Sequence, residues 1–319
     1  MKARYEKVTV IAPARLHMGF IDLSGALGRD FGSIGVGLNE ISTQITLSPA
    51  ETLTISGPGS ERALKCIQRL CLALNVADKL AIEISTAIPE HIGLGSGTQM
   101  ALAIGMGLSC YYDLALSVRD IAHLANRGAR SGIGIGVFET GGLVLDGGRG
   151  SETITPPLLV HLPVPEEWRF ILVFDQRGQG LHGQQELDAF NRLPPFPRHE
   201  AERLCYLLMM QALPAVAENN LSRFGEVISQ LQIAVGEHFA PVQGGIFTSQ
   251  EVAIAINSLE QQGAVAIGQT SWGPTGFCAV QGQTRAEELL QQVQAQFAES
   301  NLSFMLTSVR NQGAEIIVS

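Results

Sequence analysis

A glycine-rich segment at residues 89–99 carries the clearest chemical signal in the sequence. Its three glycines at alternate positions permit backbone conformations in which successive N–H groups converge on one anion. The apolar residues that follow predict a buried helix, whose N-terminal end adds positive potential. Ser96 and Thr98 offer hydroxyls to a phosphate oxygen or to Mg²⁺. The segment therefore predicts a phosphate-binding loop, with a tight turn and helix cap as the alternative. The residues expected to contact phosphate are Gly93, Leu94, Gly95, Ser96, Gly97, Thr98 and Gln99.

The composition limits the kinds of protein that such a loop could belong to. Of 319 residues, 30 are acidic and 21 are Lys or Arg, and the net charge of −9 argues against a nucleic-acid binder. No apolar run approaches the roughly 20 residues of a membrane span, and no secretory signal begins the chain. Five cysteines without a CxxC pair indicate reduced thiols. We expect a cytoplasmic protein that binds neither nucleic acid nor membrane.

Several polar residues near the first predicted strand, at 8–12, are candidates for substrate contacts. His17 lies two positions from Arg15, on the same face if the strand continues, and a structural hydrogen bond is the alternative for this histidine. Asp22 suits a ribose hydroxyl, a magnesium ion or a simple turn. His91 adjoins the glycine loop, where it contacts substrate or caps the turn.

Candidates also occur in the second half of the chain. Asp175 and Arg177 follow a buried strand, a common place for functional groups, although a solvated loop gives the same pattern. Trp272 suits either stacking on an aromatic ligand or core packing. His182 and Glu186 are four residues apart, but no further ligand completes a zinc pattern.

The order of strand-like and helix-like segments predicts an α+β protein with two domains, residues 1–160 and 161–319. Glycines are so dense in residues 132–150 that this tract predicts tight turns around close backbone contacts. The C-terminal part predicts a split βαβ (ferredoxin-like) layer. Its expected elements are a strand at 170–174, a helix at 249–262, strands at 264–268 and 277–280, a helix at 285–299 and a strand at 303–308.

The glycine loop resembles the second motif of the GHMP kinase superfamily, which has the form Pro…Gly-Leu-Gly-Ser-Ser. Residues 12–20 resemble the first motif of that superfamily, and residues 268–276 occupy the place of its third. Three motifs in order imply a GHMP kinase-like two-domain fold. The N-terminal half would be ribosomal S5 domain 2-like and the C-terminal half ferredoxin-like.

Further segments are similar to one branch, the β-ribofuranosylaminobenzene 5′-phosphate synthase family. They are residues 14–23, 91–99, 130–134, 138–142, 146–148, 180–183 and 243–245. Members condense phosphoribosyl pyrophosphate with 4-aminobenzoate, or in some cases 4-hydroxybenzoate, releasing CO₂ and pyrophosphate in tetrahydromethanopterin biosynthesis. The resemblance implies a decarboxylating phosphoribosyltransferase, a pentosyltransferase that uses Mg²⁺ and forms a homodimer.

The chemistry of that reaction points to particular residues of this chain. Arg15 and Arg130 would bind the 5′-phosphate or the carboxylate of the aromatic acid, and His17 and Glu139 are the other catalytic candidates. Many superfamily kinases place an aspartate base in the stretch that corresponds to residues 130–136, which contains no acid here. This absence favours the synthase, although Glu139 remains a possible base. The remaining substrate-binding candidates are Asp22, His91, Ser131, Asp175, Arg177, His182, Gln243, Ser271 and Trp272, and the metal candidates are Ser96 and Thr98.

Two other functions stay open at this point. One is an ATP-dependent small-molecule kinase of the same superfamily, with the nucleotide at the same loop. The other is a non-catalytic phosphometabolite-binding protein.

Overall fold

A computed structural model describes residues 4–177, 192–271 and 273–319 of the chain. The strands are β1 (Val8–Asp22), β2 (Arg29–Pro49), β3 (Thr54–Ser56), β4 (Leu80–Thr86), β5 (Leu143–Asp146), β6 (Arg149–Gly150), β7 (Leu158–Leu162), β8 (Trp168–Asp175), β9 (Val265–Gln269), β10 (Gly276–Gln281), β11 (Leu302–Ser308) and β12 (Glu315–Val318). The helices are α1 (Ser60–Leu74), α2 (Ser96–Tyr112), α3 (Val118–Leu124), α4 (Ile133–Thr140), α5 (Arg198–Leu207), α6 (Leu213–Ala217), α7 (Leu221–Gln243), α8 (Gln250–Gln261) and α9 (Gln283–Gln296), with a π-helical turn (Leu208–Ala212) between α5 and α6.

The first sheet is built around the long antiparallel pair β1 and β2. Its strand order is β12-β1-β2-β4-β3, and β5, β6 and β7 extend it from β2. Helix α2 packs on β1 and β2 with an almost entirely apolar surface that includes the fully buried Leu102, Ile104 and Leu108. This packing fixes the start of α2, and therefore the glycine loop before it, above β1.

The second sheet has the strand order β11-β8-β10-β9 and is antiparallel throughout. Strand β8 is buried on both faces, with Phe170 and Leu172 in one apolar cluster and Ile171 and Val173 in another. Helices α8 and α9 cover one face, and α7 contacts both β9 and β1. The predicted α+β architecture with a split βαβ layer is confirmed.

Two strands of the first sheet differ from the sequence prediction. Strand β1 continues past the predicted end at residue 12 to Asp22, because the polar residues of the first motif stay in the ladder with β2. Strand β12 was not predicted. It is a short, mostly exposed strand without an alternation of buried and exposed residues, and it pairs with β1. The end of the chain therefore returns to the first sheet.

The close backbone contacts predicted for residues 132–150 are present at Gly141 and Gly148, which have positive φ, but the tract also forms α4, β5 and β6, which were not predicted. The glycines of α4 serve close packing between elements. A Cβ on Gly136 would lie 2.6 Å from Val144 Cγ1, and one on Gly134 would lie 3.1 Å from Thr98 Cγ2. Within the described ranges, no helix is both long enough and apolar enough to cross a membrane.

Candidate functional site

The glycine loop connects β4 to α2 and takes the backbone conformation that its glycines predict. Gly93 and Gly95 have φ of +80° and +84°, values that residues other than glycine rarely adopt. The amides of Thr98 and Gln99 donate to the Gly95 carbonyl and begin the helix. The first N–H groups of a helix have no partner within it, so the start of α2 is a potential anion site.

Thr270 joins the three motifs that the sequence keeps far apart. Its hydroxyl donates to the Gly93 carbonyl at 2.8 Å and accepts a hydrogen bond from the His17 amide at 3.1 Å. The Arg15 guanidinium also donates to the Gly93 carbonyl, and the Arg15 amide donates to the Leu94 carbonyl at 3.1 Å. The first motif, the glycine loop and the C-terminal motif therefore meet at one place in the structure.

A cavity of about 310 Å³ opens above the loop, and four arginines line it. They are Arg15, Arg62, Arg127 and Arg130, which come from three separate stretches of the chain. None of the described Asp or Glu residues lines this cavity, although the whole chain carries a net charge of −9. The cavity is thus a local basic site, suited to a ligand with several negative charges. The other lining residues are His17, Phe20, His91, Gly93, Gly95, Ser96, Gly97, Thr98, Asn126, Gly128, Ala129, Ser131, Ser271 and Gly273.

Two of these arginines, Arg62 and Arg127, were not predicted from the sequence. Arg62 lies in α1, donates from Nη1 to Ser96 Oγ at 3.2 Å, and lies 3.4 Å from Glu90 Oε1. Arg127 follows α3; burial and the nearby Arg62 lower its pKa, and its buried Nε has no partner among the described residues. These side chains reach the loop because α1 and α3 pack beside α2. No local sequence motif predicts their position.

His17 lies at the junction of this cavity with a narrower cleft. It is 2% exposed, and neither ring nitrogen has a hydrogen-bond partner among the described residues. Burial, and secondarily Arg15, lower its pKa to about 3, so the imidazole is neutral at physiological pH. Its ring meets Phe20 edge-on at 4.7 Å between centroids. A neutral imidazole with two unoccupied nitrogens is able to donate one hydrogen bond and accept another.

The narrower cleft shares His17, Phe20 and Ser271 with the arginine cavity. Its other walls are Gly19, Gln232, Val235, Gly236, Phe239, Gln243, Ile246 and Gln269. The glutamine side chains form hydrogen bonds within the protein. The backbone N–H of Gln269 donates to Gln232 Oε1 at 2.9 Å, and the side-chain Nε2 of Gln269 donates to Gln243 Oε1 at 3.2 Å. Aromatic and aliphatic side chains stand beside His17 at its mouth, and the space that the cleft itself encloses, about 20 Å³, is that of a water molecule.

A buried carboxylate supports the wall that carries Arg130 and Ser131. Asp146 accepts from Ser33 Oγ at 2.6 Å and from the Gly132 amide at 2.8 Å, and burial raises its pKa. The Ser33 hydroxyl also lies 2.7 Å from the Ser131 hydroxyl. Asp146 does not line the cavity, so it holds the wall in place rather than facing a ligand there.

Several predicted site residues lie elsewhere in the structure. Glu139 pairs with Arg119 at 3.0 Å and does not line the cavity. Asp22 accepts from the amide and hydroxyl of Ser24, which is the turn alternative, and it borders a separate apolar cavity.

Asp175 and Arg177 form an ion pair at 3.0 Å and line another cavity, separate from the arginine cavity. The hydrogen bonds from Arg177 lower the pKa of Asp175 to about 2. Gln99 is buried and donates to the Gly134 carbonyl at 2.8 Å, which ties α2 to α4. Leu94 is buried as well, and its backbone carbonyl accepts the Arg15 amide. His182 and Trp272 lie outside the described residues.

The chain matches two protein-family models, GHMP kinases N terminal domain over residues 61–141 and GHMP kinases C terminal over residues 212–299. Among solved structures, L. major mevalonate kinase in complex with R-mevalonate aligns with a TM-score of 0.70 and 15% identity, covering 98% of this chain and 99% of that one. At this identity the likeness shows the fold alone. The predicted GHMP kinase-like fold is confirmed.

Similarity to archaeal proteins is more specific. A β-ribofuranosylphenol 5′-phosphate synthase of Archaeoglobus fulgidus is 31% identical over 325 aligned positions, covering 96% of this chain and 98% of that protein. A protein of the same name from Methanocaldococcus jannaschii is 34% identical over 290 positions, covering 82% of this chain and 86% of its own length. The chain belongs to the family of the β-ribofuranosylphenol 5′-phosphate synthases, on the GHMP kinase fold.

Proposed function

We infer that this protein is a decarboxylating phosphoribosyltransferase, which condenses phosphoribosyl pyrophosphate with 4-hydroxybenzoate or 4-aminobenzoate and releases CO₂ and pyrophosphate. The observation that carries this inference is a cavity with four arginines and no lining carboxylate among the described residues, which is bordered by the buried His17 and by Phe20. The relatives named β-ribofuranosylphenol 5′-phosphate synthase support the same reaction.

The reaction asks mainly for charge stabilisation and alignment. The ring carbon that bears the carboxylate attacks C1 of the ribose as the bond from C1 to the diphosphate oxygen breaks. The bond from the ring carbon to the carboxylate then breaks, and its electron pair restores the aromatic ring as CO₂ leaves. The arginines and the loop amides offset the charge that develops on the diphosphate. No hydroxyl has to lose a proton for the carbon–carbon bond to form, which agrees with a cavity lined by no described carboxylate.

The mouth of the cleft, where His17, Phe20 and Ser271 border the arginine cavity, is the proposed site of the aromatic acid. A ring packed against Phe20 there would place its para substituent or its carboxylate near the imidazole nitrogens, which have no partner among the described residues. The neutral imidazole accepts a hydrogen bond from a phenol O–H or an aniline N–H, which increases electron density at the para carbon. The name of the relatives contains phenol, and this favours 4-hydroxybenzoate as the acceptor.

Mg²⁺ is proposed as a companion of the diphosphate. The hydroxyls of Ser96 and Thr98 line the cavity and offer oxygen ligands. No group of three or more His, Cys, Asp or Glu in the described ranges suits a metal, so the diphosphate oxygens supply most of the ligands in this proposal. Bound there, the ion would add positive charge beside the leaving group. EDTA should then abolish turnover and added Mg²⁺ should restore it; activity that survives EDTA contradicts the proposal.

A homodimer in the cytoplasm, serving tetrahydromethanopterin biosynthesis, completes the proposal. Support for self-association comes from an apolar cavity of about 240 Å³ bordered by the exposed side chains of Leu27, Leu159 and Met209. Five free cysteines suit a reducing compartment. Light scattering on the purified protein tests the dimer, and a mass equal to one chain contradicts it.

The function is tested by product analysis. Purified protein is incubated with phosphoribosyl pyrophosphate, Mg²⁺ and either 4-hydroxybenzoate or 4-aminobenzoate, and products are identified by mass spectrometry. The expected product has the mass of a ribosyl 5′-phosphate joined to phenol or aniline. Parallel reactions contain ATP with homoserine or mevalonate. Phosphorylation of an alcohol, with no product from phosphoribosyl pyrophosphate, would assign the chain to the kinases instead.

A further inference from the structure

We propose that Arg62 and Arg127 form the receptor for the diphosphate of phosphoribosyl pyrophosphate, and that Gly97 determines this specificity because its missing side chain admits both guanidinium groups to the start of α2. The inference rests on the proposed function for the identity of the donor. It adds two arginines whose role neither the motifs nor the relatives' names assign, and it gives a reason for the glycine at position 97.

The space beside Gly97 is occupied by the two arginines. A Cβ built on Gly97 would approach Arg62 Nη2 far closer than the 3.0 Å limit of real Cβ contacts, and would lie 3.3 Å from Arg127 Nη1. Both guanidinium groups therefore occupy the space in which a side chain at position 97 would begin. Gly97 has helical rather than left-handed backbone, so the glycine is not required by its conformation. The close approach of the two arginines is the remaining reason for a glycine there.

The positive charges of Arg62 and Arg127 are only partly balanced by neighbouring groups. Arg62 has Glu90 at 3.4 Å and Ser96 at 3.2 Å, whereas Arg127 has Arg62 as a like-charged neighbour and a buried Nε with no described partner. Two adjacent guanidinium groups repel each other unless an anion lies between them. Each guanidinium is able to bind one phosphate group with two parallel hydrogen bonds. Two linked phosphates match the pair better than a single phosphate does.

A second observation assigns the same cavity to a ligand. His17 lines it, is 2% exposed, and has two ring nitrogens without a partner among the described residues. A polar side chain buried in this way indicates that the cavity is completed by a bound molecule. The start of α2, the arginine pair and His17 thus border one ligand site.

A side chain at position 97 would displace the Arg62 guanidinium. This displacement is sterically easy, because the contact is the end of a flexible side chain. The substitution should therefore change the anion site without disrupting the fold.

Isothermal titration calorimetry on the full chain tests the proposal, with inorganic pyrophosphate and ribose 5-phosphate as separate probes. The variants are Arg62→Gln, Arg127→Gln and Gly97→Ala. Arg69→Gln is the matched control, because Arg69 lies on the same helix, donates to the Leu124 carbonyl at 3.0 Å, and does not line the cavity.

The three variants should each weaken pyrophosphate binding by about 10- to 100-fold, since each loses charged hydrogen bonds. Their affinity for ribose 5-phosphate should change by less than about two-fold, as should both affinities of the control. Gly97→Ala should add little to Arg62→Gln in the double variant, because the alanine acts through the arginine. Thermal unfolding should find Gly97→Ala at least as stable as the unaltered protein, because alanine favours helices.

Unchanged pyrophosphate affinity in the variants, or absent pyrophosphate binding in the unaltered protein, overturns the proposal. A loss confined to ribose 5-phosphate overturns it as well, since the pair would then bind the 5′-phosphate. Failure of the proposed function has a different signature: no product forms from phosphoribosyl pyrophosphate, while the variants still lose pyrophosphate affinity.

Discussion

At the scale of single residues, burial determines the protonation state of His17. Removal from water, with the positive field of Arg15, keeps the imidazole neutral, and the two ring nitrogens lack partners among the described residues. The sequence predicted a contact role for His17 from its spacing to Arg15. It did not predict Arg62 or Arg127, because their positions depend on how α1 and α3 pack against α2.

His17 should make stability depend on pH in a direction that follows from its lowered pKa. Between about pH 3 and pH 6.5 the unfolded chain binds a proton at this residue that the folded chain does not. Stability should therefore rise with pH across this window, by up to about 1.4 kcal/mol per unit from this group. Denaturant unfolding at several pH values should give a flatter profile for His17→Phe than for the unaltered protein.

The exposed His199 supplies the control for this measurement. His199→Phe should keep the pH profile of the unaltered protein. Identical profiles for His17→Phe and the unaltered protein between pH 3 and 6.5 would contradict a neutral, buried His17.

At the scale of elements, the glycine loop depends on the C-terminal motif for its position. The local glycine signature was sufficient to predict the loop, because the left-handed backbone at Gly93 and Gly95 is a property of those residues. Helix α4 and strand β12 were missed for the opposite reason. The glycines of α4 serve contacts with other elements, and β12 is stabilised by its pairing with β1 rather than by its own pattern.

Thr270→Val tests the dependence of the loop on the C-terminal motif. Valine has nearly the shape of threonine but leaves the Gly93 carbonyl and the His17 amide without this hydroxyl. Unfolding free energy should fall by about 1–3 kcal/mol, and the KM for phosphoribosyl pyrophosphate should rise. Thr270→Ser keeps the hydroxyl and should retain most of both properties. Equal behaviour of the valine and serine variants would show that the hydrogen bonds do not position the loop.

At the scale of the whole molecule, an acidic protein concentrates four arginines at one cavity between its motifs. The net charge of −9 argues against nucleic acid as a partner, but it gives no indication of this local basic site. The packing of α2 on β1 and the hydrogen bonds of Thr270, the residue after β9, bring the site together. Composition therefore predicted the class of protein, whereas the charge of the site depends on the fold.

Ligand-induced stabilisation should separate this site from a nucleotide site. Phosphoribosyl pyrophosphate at 100 times its Kd should raise the unfolding free energy by about 2.7 kcal/mol, through mass action on the folded state. ATP at the same concentration should stabilise the protein less, because no adenine contact is proposed in the cavity. Thermal shift measurements with both ligands provide the comparison, and stronger stabilisation by ATP would favour a kinase.

The most direct test of the central claim is the stoichiometry of CO₂ and pyrophosphate. The purified protein is given phosphoribosyl pyrophosphate, Mg²⁺ and 4-hydroxybenzoate labelled in its carboxylate, and both products are measured over time. Our account predicts equal amounts of labelled CO₂ and pyrophosphate, with none of either when one substrate is omitted. Pyrophosphate without CO₂ would indicate simple hydrolysis of the donor, and it would contradict decarboxylating transfer to the aromatic ring.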